Sequence, residues 1–218
     1  MSFPSIFNDV IGPIMRGPSS SHCAAAVRIG RIVRDLMDGE LENVLIEFDP
    51  NGSLASTHES QGSDIGLFGG LLGWDAVDER LAESSVYIKE SGISIEIKII
   101  GYDAFHPNTY RLTICNSREH HQIYAISTGG GMVEVISLDG SEVSIHGDYY
   151  ETLIYSNNNL EDISNLLCKI AGVDYLILHR NKNNSFIQIK GQGFIDESII
   201  STIRDKFEIN AANERSIK

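Results

Sequence analysis

Apolar residues along this chain recur with two periods. From Ser21 to Met37 they return every third or fourth position, with Ala26, Ile29, Val33 and Leu36 on one face and Arg28, Arg31 and Arg34 off it. That spacing predicts an amphipathic helix, stopped at Asp38-Gly39. Upstream, Ser5 to Met15 mixes apolar residues with Gly12 and Pro13 and reads as a short helix followed by an extended segment. Asn43 to Phe48 reads as a strand, and Ile93 to Ile99 alternates as a strand with Ile93, Ile95, Ile97 and Ile99 inward. Between them, Gly52 to Asp64 is polar and broken by glycine, so it reads as a loop. It leads into a helix through Leu67, Phe68, Leu71 and Leu72, capped by Ser63 or Asp64. Asp78 to Ser91 reads as a polar link with a short helix. Tyr110 to Cys115, His121 to Ser127 and Met132 to Leu138 are further strands, the last two separated by Gly129-Gly130-Gly131.

A boundary falls near Asp148 to Glu151. Beyond it the pattern predicts a strand at 152–155 and a helix at 160–171 with Ile163, Leu166, Leu167 and Ile170 buried. A hairpin follows at 173–190, then a helix at 196–207 and a strand at 209–212. This β-α-β-β-α-β order is ferredoxin-like. The expected fold class is therefore α+β in two domains, 1–148 and 151–218.

Composition narrows the function. The 218 residues are 42% hydrophobic and 22% charged, ordinary for a globular protein with a real core. A formal net charge of -13 makes nucleic acid and anionic membrane poor partners. No apolar run approaches the ~20 residues of a membrane span, and the first residues do not read as a signal peptide, so the cytoplasm is the expected location. Cys23, Cys115 and Cys168 are too few and too scattered for a disulfide framework, a zinc site or a four-thiolate cluster.

The candidate chemistry starts at Gly17-Pro18-Ser19-Ser20-Ser21-His22. A turn runs into three hydroxyls and an imidazole at a helix start, where free backbone N–H groups and the dipole favour a small anion such as a carboxylate. An ordinary N-cap beside a surface histidine is the competing reading. Cys23 would sit in the first helical turn, which favours a thiolate, or face the core as a small buried residue. His106-Pro107-Asn108-Thr109 could hold the amine and carboxylate of an amino acid, or be a capped turn between strands. Gly129 to Gly131 would let a ligand or partner approach the backbone, or form a plain tight turn.

The segment from Ser5 to Arg31 resembles the start of iron–sulfur-dependent L-serine dehydratases, specifically the beta chain of the two-chain bacterial form. The likeness continues, in the family's order, through Gly52-Ser53-Leu54-Ala55, Gly69-Gly70-Leu71-Leu72-Gly73-Trp74, Asp78-Glu79-Arg80, His106-Pro107-Asn108-Thr109 and Gly129-Gly130-Gly131-Met132-Val133-Glu134. The resemblance implies a serine dehydratase beta domain of the allosteric-substrate-binding kind, followed by an ACT-like domain. It also implies dehydration of L-serine with a 4Fe-4S cluster as Lewis acid, held by a partner alpha chain and not by this one, with no metal bound here. An oligomer is expected. His22 would be catalytic, Ser19, Ser20, Ser21, Ser63 and Asp64 would contact substrate, and His106, Asn108, Thr109 and Gly130 would contact an effector amino acid. One position departs from the family: in Ser60-Gln61-Gly62-Ser63-Asp64, Gln61 stands where the family has a second histidine. Glutamine hydrogen-bonds but cannot act as a base near neutral pH. His58 could substitute if the loop is rearranged. The alternative is a noncatalytic amino-acid-binding or assembly subunit, or a relative with altered substrate.

Overall fold

The computed structural model describes residues 15–37, 40–156, 158–170, 172–181, 184–207 and 214–217, the first two of the last group as backbone only. The expected helix over Ser5 to Met15 and the Asp38-Gly39 stop lie outside them, except for Met15.

α1 (Ser20–Leu36) forms where the stripe predicts it and buries Ala26, Ile29, Val33 and Leu36. β1 (Asn43–Phe48) follows, then α2 (Leu54–Thr57), α3 (Ser63–Leu71), a 3-10 turn at Glu79–Glu83, α4 (Ser84–Glu90) and β2 (Ser94–Ile99). β3 (Thr109–Cys115), β4 (His120–Gly129), β5 (Met132–Leu138) and β6 (Ser141–Ile145) complete one six-stranded sheet. Its order is β2-β1-β3-β4-β5-β6. Only the β1–β2 pair is parallel, because the three helices between those strands form the crossover that parallel pairing needs. Phe48, Tyr110, Leu112, Ile123 and Val133 point from this sheet into a core shared with α1 and α3. On alternate positions Arg111 makes a two-pronged ion pair with Glu47, both bonds 2.7 Å, and stacks 4.3 Å over the Tyr102 ring.

The second sheet is built from β7 (Tyr150–Tyr155), β8 (Tyr175–His179), β9 (Phe186–Gly191) and β10 (Glu214–Ile217), with α5 (Leu160–Leu167) and α6 (Glu197–Phe207) between them. Its order β10-β7-β9-β8, antiparallel throughout, is the ferredoxin-like arrangement. One face, with Ile154, Ile187 and Ile189, packs on Ile163, Leu167, Ile200 and Ile203 of the two helices. The other face turns toward the first sheet, so Leu153, Phe186 and Ile217 belong to the main core. Glu151 and Gln188 are buried on that same face and hydrogen-bond each other at 2.5 Å.

Several local expectations need correction. Leu54 to Thr57 is helical rather than loop, because Leu54 has a core position to fill. α3 is capped by Gly62 at φ 78°, not by Ser63 or Asp64, which are already helical. β6 is an additional strand whose sequence signal is weak, because its exposed Glu142 and Ser144 leave only Val143 and Ile145 to mark it. α5 ends at Leu167, short of Ala171. Ile99 is exposed rather than inward. The strand expected at 209–212 lies outside the described residues.

Candidate active site

The site is positioned by two helices in backbone contact. A β-carbon at Gly30 would stand 2.5 Å from the Leu67 carbonyl oxygen, and one at Gly66 would fall onto the Cys23 carbonyl oxygen. Gly70 likewise lies against Val27 and Gly30. Residue numbers rise together along the two contact faces, so α1 and α3 are parallel and begin side by side. The loops before them touch as well: the Ser19 N–H donates to the Gln61 carbonyl at 3.3 Å. A β-carbon at Gly62 would stand 2.7 Å from the Pro18 ring.

On the α1 side, Ser19 is the N-cap residue, yet its hydroxyl does not cap the helix. It meets His22 Nδ1 at 2.8 Å and holds the ring. Ser20 is exposed and Ser21 half-buried. Cys23 is fully buried against Val27 and Leu81, and burial pushes its thiol up to about 11, so the buried reading holds and the thiolate reading does not.

On the α3 side, the His58 carbonyl accepts from the Ser63 and Asp64 N–H groups, closing the 58–64 turn. His58 Nδ1 lies 2.8 and 2.9 Å from the two Asp64 carboxylate oxygens, with the ring stacked on Phe48. Burial pushes the Asp64 carboxyl above its ordinary range, against the stabilising hydrogen bond from His58. Ser63, expected at the substrate, is buried. The Gln61 side-chain oxygen is buried without a hydrogen-bond partner among the described residues. Donor atoms of His58, Glu59 and Asp64 lie within 4.8 Å of one another, but His58 and Asp64 already pair and Glu59 is exposed.

The His106–Thr109 motif forms a second constellation. Ser53 donates its N–H to the Pro107 carbonyl at 2.9 Å, and its hydroxyl also bonds the Asn108 side-chain oxygen. The Asn108 N–H donates to His106 Nδ1 at 3.1 Å, which leaves Nε2 of the neutral ring as its donor. The Thr109 hydroxyl is spent on the His106 carbonyl at 2.7 Å. Asp49 accepts the N–H groups of Asn51, Tyr102 and Ala104, which holds its carboxyl below the usual range and pins the approach to the motif. α2 joins the constellations, with Ser53 before it and His58 after it, one helical turn of about 6 Å. Gly130 is exposed in the β4–β5 turn at φ 63°. A β-carbon at Gly130 would meet nothing within 4 Å.

Two parallel helix starts, each holding an imidazole by its Nδ1, form the setting in which the similarity to known proteins is informative. The chain is 37% identical over 174 residues, 78% of each chain, to the probable L-serine dehydratase, beta chain, of Bacillus subtilis (strain 168). It is 30% identical over 179 residues, 80% of each chain, to the L-serine dehydratase, beta chain, of Peptoniphilus asaccharolyticus. The chain belongs to the L-serine dehydratase beta chains. A comparison with protein-family models returned no match. Within this beta chain, the His58–Asp64 pair carries no local signal in the sequence, because the two residues are six apart across a turn that no helical or strand period covers. The Ser53–Asn108 bond is equally silent in the sequence, although the two residues stand in the Gly52–Ala55 and His106–Thr109 motifs.

Proposed function

We propose that this beta chain works with an alpha chain to convert L-serine to pyruvate and ammonia. The observation that carries the reading is the pairing of Ser19 with His22 at the shared start of α1 and α3. There, the N–H groups in the first turn of α1 can receive the substrate carboxylate beside His22. His22, Ser19, Ser20 and Ser21, with Asp64 acting through His58, form the substrate side. His106 and Asn108 form the effector side.

The three thiols do not fit a 4Fe-4S cluster. Cys23 is sealed in the core with a raised thiol, Cys115 closes β3 beside Asn43 and His120, and Cys168 ends α5. The proposal therefore puts the cluster in the alpha chain and derives from this chain only carboxylate binding and proton handling. No helix among the described residues is long and apolar enough to cross a membrane. A cytoplasmic location, an oligomer, and a division into a beta domain at 1–148 and an ACT-like regulatory domain at 151–218 complete the reading.

The test is co-expression with a candidate alpha chain, anaerobic purification and a pyruvate assay. Pyruvate formation that needs both chains is the expected result. The second reading, a noncatalytic amino-acid-binding subunit, is favoured by Gln61. It wins if the two chains co-purify and bind L-serine without turnover.

A further inference from the structure

We propose that His58, oriented by Asp64, is the base that removes the α-proton in this site. The inference rests on the proposed dehydratase reading and deepens it. Two imidazoles stand at the paired helix starts, and both are anchored through Nδ1. Neither Nε2 takes a hydrogen bond among the described residues, the His22 ring is half-buried and the His58 side chain keeps 15% of its surface exposed. Gln61 behaves oppositely, since its side-chain oxygen is turned inside. The turn needs no rearrangement for this, because the His58 ring already lies across Phe48 with Asp64 beside it.

The partners of the two rings decide which is the base. His22 is held by a hydroxyl, which is neutral. His58 is held by a carboxylate, which accepts the Nδ1 proton and leaves Nε2 as the ring's acceptor nitrogen. Asp64 is largely shielded from water, and His58 is its ion-pair partner among the described residues. The step balances. The α-C–H bond breaks, its proton goes to His58 Nε2, and the electron pair forms the Cα–Cβ double bond as the β-hydroxyl departs. The proton on His58 and the departing hydroxide together make water, with no change of oxidation state for the protein. Asp64 is a positioning residue.

The experiment uses the anaerobically assembled alpha–beta complex. His58→Asn keeps a donor toward Asp64 and removes the Nε2 acceptor. It should lower kcat by ~10²–10⁴-fold with little change in KM, and free imidazole should restore part of the rate to His58→Ala. Asp64→Asn should lower kcat, and Asp64→Glu should recover part of it. Gln61→His should not raise the rate. In the isolated chain, nitrogen chemical shifts of His58 should report the proton on Nδ1 in the wild type and lose that signature in Asp64→Asn. An active wild-type complex in which His58→Asn keeps its kcat overturns this proposal alone. A wild-type complex without turnover overturns the dehydratase reading and this proposal with it.

Discussion

Gly30 and Gly70 face each other across the α1–α3 contact, and a β-carbon on either would stand 2.9 Å from the α-carbon of the other. This approach brings the Ser19–His22 and His58–Asp64 pairs to one end of the molecule. It leaves no room for even one extra methyl group.

Gly70→Ala should therefore destabilise the chain by about 1–3 kcal/mol through overpacking, despite alanine's better helix propensity. Urea denaturation measures this. An unchanged or higher midpoint would show that the helices separate freely, and the common placement of their starts would lose its basis.

Glu151 gives a pH dependence. Burial lifts its carboxyl above the ordinary 4.5, outweighing Gln188 and Lys190. The folded chain thus holds that proton more tightly than the unfolded chain does. The resulting stability is fully present below pH 4.5 and is lost as pH rises through the raised value. Glu151→Gln keeps the neutral form at all pH values. It should match the wild type below about pH 4 and exceed it near neutrality in denaturant midpoint. A wild-type advantage near neutrality would mean that the Lys190 contact, 3.4 Å away, outweighs the burial.

Thiol chemistry should separate the cysteines. Cys168 is exposed, whereas Cys23 is buried with its thiol pushed up to about 11, so at pH 8 only about one Cys23 in a thousand is thiolate even before access is counted. Alkylation of the native chain, read by mass spectrometry, should modify Cys168 quickly and Cys23 only on unfolding. Fast labelling of Cys23 would return it to the list of reactive groups.

Removal of residues 149–218 should not leave a stable first domain. Leu153, Phe186 and Ile217 sit in the main core, and their loss uncovers apolar surface over the first sheet. The truncated chain is expected to aggregate or melt far below the full chain, which should unfold in a single transition. A soluble fragment with native-like melting would show that the two sheets fold independently.

The regular elements were legible where packing asks for one face. Ala26, Ile29, Val33 and Leu36 announce α1, and β1 and β5 fall where their apolar runs place them. The ferredoxin-like order was legible for the same reason. What the pattern could not carry was long-range pairing. Nothing local marks Leu153 and Phe186 as belonging to the main core rather than to α5 and α6. The site was legible as motifs but not as contacts. Ser63, expected to cap a helix or contact substrate, is buried, and His58, expected to substitute only after a rearrangement, is already held by Asp64.

Two helices that start together and run the same way have repelling dipoles, each positive end worth roughly half a charge. Asp64 is the one acidic residue in the first turn of either helix, so α1 meets its neighbour with no charge of its own to offset this. Any carboxylate that settles between the two starts relieves the repulsion, so ligand binding and folding draw on the same free energy. At a hundred times its dissociation constant such a ligand adds about 2.7 kcal/mol to the folded state. The chain therefore carries its own gauge of occupancy: a rise in melting temperature with L-serine would register binding in this protein even when no alpha chain is present to complete the chemistry.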